Sequence, residues 1–176
     1  MKSVKKKRTD RLEIPVTIPW EGKGNRKHVL QYLIEKNNYK LIAEVGVRDG
    51  RTTFYLLDNI PDLRIIAIDM SIQEFYNNEV KARYGNRLIP IEATSEVAAD
   101  RIDNNSLDLV FIDANHSYEY VKKDIIKYTP KVKTTGLLTG HDIDYPGVNR
   151  AVNELIPEFD VAPNFVWIKK NEQTTI

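Results

Sequence analysis

The sequence predicts an α/β fold: a mostly parallel sheet with helices on both faces, finished by an antiparallel β-hairpin. Three observations carry that expectation. First, 40–53 runs from the apolar segment Leu41-Ile42-Ala43-Glu44-Val45 through Gly46 and Gly50 to Thr52 and Thr53, a strand, a glycine turn and a helix start. Second, four more short apolar runs (64–69, 87–92, 107–113 and 134–140) alternate with helical periodicities, as in parallel strands joined by crossover helices. Third, 157–169 holds two strand-like runs around Ala162-Pro163-Asn164, with no room for a crossover helix, so they should pair antiparallel.

Taken in order, Ile14 to Trp20 is expected to be extended, because Pro15 and Pro19 bias their predecessors away from helix. A helix over about 25–36 follows, with Val29, Leu30, Leu33 and Ile34 as its apolar stripe, ended by Asn37-Asn38. The strand after Lys40 is apolar on both faces, as a buried parallel strand should be. Gly46 and Gly50 lack a Cβ, so the backbone can turn sharply and a ligand can come close. Thr52 or Thr53 can cap the next helix, near 52–59, which stops before Pro61.

Arg64 to Asp69 is the second strand, ending in an acid. Asp69 stands one strand–helix–strand unit after Glu44, where an acid in this fold meets ribose hydroxyls; capping the following helix is the other use for it. Ile72, Phe75, Tyr76, Val80 and Tyr84 stripe one helix, closed by Gly85-Asn86. Arg87 to Glu92 is the third strand, Thr94 and Ser95 turn at its carboxyl edge, and a helix is expected over about 95–102. After the turn cluster at 103–106, Leu107 to Asp113 is the fourth strand, and Ser117 opens a helix with Tyr118, Val121, Ile125 and Tyr128 on one face. Thr134 to Gly140 is the fifth strand, followed by His141-Asp142 and a helix near 147–156. No internal repeat or second domain is visible. The expected division is a basic disordered tail over 1–13 and a single domain over 14–176.

Composition narrows the chemistry. At 176 residues the chain can bury a real core. The absence of cysteine excludes disulfides, thiolate metal sites and cysteine nucleophiles. No apolar run is long enough for a membrane span and no signal-peptide pattern is present, so a cytoplasmic protein with no membrane partner is expected. The net charge of +1 is uneven: residues 1–13 hold six Lys or Arg and two acids, leaving −3 for the rest. A solvated end is the ordinary reading of such a run. The body has no basic excess that would make nucleic acid the default partner.

Two places remain for chemistry, Asp113-Ala114-Asn115-His116 after the fourth strand and His141-Asp142-Ile143-Asp144 after the fifth. Neighbouring strand ends would bring Asp113 and Asp142 close, and two carboxylates that near repel unless a proton or cation lies between them. Oxygen ligands suit Mg²⁺; His141 would add nitrogen and tilt the choice toward Mn²⁺ or Fe²⁺. The plainer readings are that His116 caps the next helix and that His141 is a core histidine. Asp144 and Tyr145 border the site.

Glu44-x-Gly46-x-x-x-Gly50 does not fit the dinucleotide pattern; it resembles motif I of class I S-adenosylmethionine (SAM) dependent methyltransferases. Phe111-Ile112-Asp113-Ala114-Asn115-His116-Ser117-Tyr118-Glu119 resembles the F-I-D-x-x-H-x-Y-E signature of the methyltransferase 24 group, related to metal-dependent catechol-type and macrolide-sugar O-methyltransferases. The resemblance runs from about Lys40 to Trp167. It implies a Rossmann-like, seven-stranded sheet with the terminal hairpin, and O-methylation of a small-molecule or sugar hydroxyl assisted by a divalent metal. It implies a cation on Asp113 and Asp142, with His141 where many relatives carry an acid, and His116 as the base. The expected cofactor set is Glu44, Gly46 and Gly50 at the methionine end, Asp69 on the ribose, Thr94 or Ser95 near the adenine, and Asp113. Two other readings are a SAM-binding regulatory or partner-binding module, and an RNA ribose methyltransferase guided by the basic tail. Beyond residues 1–24 and the 141–147 loop, little of the chain is available for a lid, which leaves a site that is open or completed by a neighbouring copy in a homo-oligomer.

Overall fold

A computed structural model describes residues 11–21 and 24–169. Its seven strands form one sheet in the order β3-β2-β1-β4-β5-β7-β6. Five are parallel: β1 (Leu41–Val45), β2 (Arg64–Asp69), β3 (Leu88–Glu92), β4 (Leu107–Ile112) and β5 (Val132–Gly140). β6 (Phe159–Ala162) and β7 (Val166–Lys169) form the expected hairpin, and β7 pairs antiparallel with β5. The order reverses at β1 and β4, so the connections leaving their carboxyl ends turn to opposite faces of the sheet and open a crevice between them.

Alternation along the strands sorts the core into two layers. Ile42, Leu109 and Phe111 face a cluster built on α1 (Arg26–Lys36), α2 (Arg51–Asn59) and α3 (Asn78–Tyr84). Ala43, Val45, Val110 and Ile112 face a second cluster, on α4 (Ser95–Ala99), α5 (Tyr118–Tyr128) and α6 (Pro146–Leu155). Helices therefore cover both faces. Among the described residues, no helix is long and apolar enough to cross a membrane.

Several local expectations are corrected. Neither threonine caps α2: the helix starts at Arg51, with Gly50 as N-cap at φ 76°, so both lie inside it. The single helix expected from Ile72 to Tyr84 is broken into a 3₁₀ turn, Ile72–Glu74, and α3. Asn77 makes the break, because its extended backbone and its side chain, accepting from Val80 N, start a new helix. α4 ends at Ala99 rather than near Ile102, since Arg101 and Ile102 donate to the carbonyls three residues back and tighten the turn. β5 starts two residues earlier than expected.

The segment from Arg11 to Trp20 forms no helix, bends at Ile18 and lies against the sheet's hairpin end. Thr17 N donates to Val161 O at 2.9 Å, and Val161 N donates to Thr17 Oγ1 at 2.8 Å. Of the tail expected over 1–13, residues 1–10 lie outside the described residues. Leu12, by contrast, is tied to the loop between β5 and α6, its N–H donating to Asp144 O at 2.8 Å.

Candidate active site

Hydrogen bonds that run past the strand ends bring the site together. Gly46 N donates to Ile68 O, Asp113 N to Val45 O and His141 N to Ile112 O, at 2.9, 2.8 and 3.0 Å. The first residues beyond β1, β4 and β5 are thereby held side by side. Gly46 is required there: at φ 90°, an added Cβ would fall 2.5 Å from Ala114 Cα and 2.6 Å from Asp113 O. Its freedom serves the packing of one strand end on the next, as well as any ligand.

A cavity of about 640 Å³ opens over these ends, and Glu44, Gly46, Asp69, Thr94, Ser95, Asp113, His116 and Asp142 all contribute to its wall. Gly50 does not; it turns the chain into α2, and its missing Cβ makes room for the Phe54 ring. Asp69 accepts from Ser71 N at 3.0 Å on one oxygen and from Arg48 N at 2.8 Å on the other. A carboxylate has about four acceptor positions, so two remain for a diol. Glu44 is buried and accepts from the Thr53 hydroxyl. Burial pushes its carboxyl up to about 8, with the Thr53 bond acting the other way. Thr94 caps α4 through Val97 N.

At the β4 and β5 ends, Asp113, His141 and Asp142 offer ligand atoms that all lie within 4.8 Å of one another. His141 Nδ1 stands 3.3 Å from Asp113 Oδ1 and 3.2 Å from Asp142 Oδ2. Neither ring nitrogen makes an aligned hydrogen bond, although the ring is buried. Burial alone would lower the imidazole; the two carboxylates outweigh it and push it up to about 9. A buried ring nitrogen without an aligned hydrogen bond, Nδ1, facing two carboxylates makes a donor set that fits a divalent cation. Asp142 sits at φ 56°, in the left-handed region. Burial would raise its carboxyl, but the facing imidazoles of His116 and His141 outweigh it and hold it well below the usual carboxylate range.

His116 is not a helix cap; Ser117 occupies that position, without a side-chain cap bond. His116 Nε2 stands 2.8 Å from Asp142 Oδ2, and the ring stacks on Tyr145 at 4.4 Å between centroids. Gly147 holds this arrangement close, since a Cβ there would run into the carbonyl oxygen of His116 and, at 2.8 Å, Tyr118 N.

The structure adds residues that the sequence did not single out. Arg26 Nε stands 3.4 Å from Asp113 Oδ2 and donates to Thr52 Oγ1 at 3.3 Å. Met70 is exposed and lines the cavity, and so does Tyr120, whose place in the sequence reads as packing. Asp124 lies buried in its wall, its carboxyl pushed up to about 6, chiefly by burial. An acid among Val121, Ile125 and Tyr128, on the apolar face of α5, is the signal that could have found it. Arg11 reaches Asp142 and Asp144, and no local pattern marks it.

A family model described as a methyltransferase domain, that of the methyltransferase 24 group, matches residues 43–143. No curated protein matches the chain. Among solved structures, a Staphylococcus aureus protein provisionally named a caffeoyl-CoA O-methyltransferase is 22% identical, with a TM-score of 0.67 over 87% of this chain and 84% of that one. CalS11, a TDP-rhamnose 3′-O-methyltransferase of calicheamicin biosynthesis, is 16% identical, with a TM-score of 0.62 over 82% of this chain and 78% of its own. The S-adenosylhomocysteine-bound methyltransferase PaMTH1 from Podospora anserina is 14% identical, with a TM-score of 0.66 over 84% and 78%. At these identities the structural likenesses speak for the fold.

Proposed function

The chain belongs to the methyltransferase 24 family of methyltransferase domains, and on that premise we propose that it methylates a hydroxyl oxygen of a small molecule or sugar, using SAM and a divalent cation. Residues 14–176 are read as the one methyltransferase domain. The observation that carries the reading is the convergence of Glu44, Asp69, Asp113 and Asp142, from four strand ends, on one cavity.

The residues fit both groups. Asp69 has acceptor positions left for the ribose hydroxyls, and Gly46 lets the methionine part approach the backbone near Glu44. The turn at Thr94 and Ser95 takes the adenine, flanked by Met70 and Tyr120. Asp113, Asp142 and His141 would hold the cation, with nitrogen in the set favouring Mn²⁺ or Fe²⁺ over Mg²⁺. When bound, SAM supplies an activated methyl group and the cation lowers the pKa of the acceptor hydroxyl.

The other tasks fall to the chain. His116 is placed to take the acceptor proton at Nδ1, because Nε2 faces Asp142. Tyr145 fixes the plane of the His116 ring by stacking on it. Arg26 and the neighbouring ends of β1 and β4 hold Asp113 in place.

Calorimetry with S-adenosylhomocysteine, with and without Mg²⁺ or Mn²⁺, and transfer of labelled methyl to a panel of catechol and sugar hydroxyls test the proposal. Binding by the wild type is expected, and Asp113→Asn should abolish transfer while keeping S-adenosylhomocysteine bound. A chain with no affinity for it, metal or not, would refute the reading.

A further inference from the structure

Arg11 is 131 residues from Asp142 in sequence, yet its Nη1 lies 3.0 Å from Asp142 Oδ1. The same nitrogen is 2.6 Å from each carboxylate oxygen of Asp144. The guanidinium rests on the face of Tyr145, 3.4 Å from the ring centre, and Tyr145 is stacked with His116. Its neighbours are anchored, Leu12 to Asp144 and Thr17 to Val161. Asp144 is buried at 3% exposure, and the Arg11 side chain is 17% exposed. A charge pair held this way is a built part of the site, unlike a surface ion pair.

Its position matters for the neighbouring acids. Asp142 presents Oδ2 to His141 and His116, and Oδ1 to Arg11. A fixed positive charge on the far oxygen draws electron density from the carboxylate and repels a divalent ion nearby. Asp144 offsets part of that charge.

We propose that Arg11 is a positioning residue through which the N-terminal segment sets the cation affinity of the Asp113–His141–Asp142 cluster. It holds Asp142 in place and at the same time weakens its hold on an ion. Docking of the segment and occupancy of the cluster therefore oppose each other. This rests on the metal reading above.

The test is calorimetric titration of the full chain with Mn²⁺, without cofactor or acceptor. Arg11→Met should bind Mn²⁺ roughly tenfold more tightly than wild type, the sign following from removal of a nearby cation. Arg11→Lys should stay near wild type, and Asp144→Asn should bind more weakly. Arg11→Met leaves Asp144 buried without its partner. The double variant Arg11→Met/Asp144→Asn removes both charges together and carries the test if the single variant melts early; it should bind more tightly than Asp144→Asn alone. If Arg11 is only a structural brace, Arg11→Met will bind more weakly or unchanged and the double variant will match Asp144→Asn, which overturns the inference. Wild-type uptake that is lost in Asp113→Asn but unaffected by Arg11→Met would sink the Arg11 inference and leave the metal reading standing. No uptake by wild type or Arg11→Met would sink both.

Discussion

Glu44 and Asp69 end adjacent strands, yet their carboxyls occupy opposite situations. Asp69 is anchored by two backbone N–H groups and keeps acceptor capacity toward the cavity. Asp69→Ala should weaken S-adenosylhomocysteine about tenfold to a hundredfold by calorimetry, the scale of losing hydrogen bonds to a charged group. Glu44 is buried, and burial pushes its carboxyl from 4.5 up to about 8. The folded chain then keeps a proton that the unfolded chain releases near its ordinary value. Its contribution to stability is fully present below about pH 4.5 and is lost as pH rises through about 8. Thermal midpoints of wild type should therefore fall relative to Glu44→Gln across that window. Parallel curves for the two proteins would show that Glu44 does not titrate there.

Elements are held together at two glycines where a side chain has no room. Gly46→Ala adds a methyl against Asp113 and Ala114 at a positive φ. It should cost about 2–4 kcal/mol in urea unfolding, from backbone strain and overpacking together. Gly147→Ala presses the start of α6 against the backbone of His116 and Tyr118. Its expected cost is smaller, about 1–3 kcal/mol, because α6 can move outward. That movement carries Tyr145 away from His116, so methyl transfer should fall by more than S-adenosylhomocysteine affinity. Equal losses in the two assays would mean that the α6 contact does not position His116.

Over the whole molecule, the hairpin supports the site from below. Trp167 is fully buried and its ring lies where a Cβ of Gly140 would be, immediately before His141. β7 also supplies the antiparallel neighbour that β5 needs at Thr139 and Gly140. A chain ending at Ile156 exposes the apolar edge of β5 and loses the packing around Trp167. It should show no cooperative thermal transition, and a sharp transition in that fragment would show the hairpin to be dispensable for folding.

Much of this was legible in the sequence, because periodicity and turn chemistry are local. Apolar runs ending in Glu44, Asp69 and Asp113 located strand ends, and a sheet of parallel strands gathers its carboxyl ends on one edge whatever the loop details. The close pair 157–169 marked the hairpin for the same reason. Other features depended on the path of the chain. Asn77 starts a new helix within a continuous apolar stripe, and a stripe does not register a cap. Glu44 turns toward Thr53, and Asp142 is shared among His116, His141 and Arg11, because of packing between segments far apart in sequence. Local pattern determined which acids stand at the strand ends; only tertiary structure decided which cations face them, since charge pairing depends on distance in space and the sequence records only order along the chain.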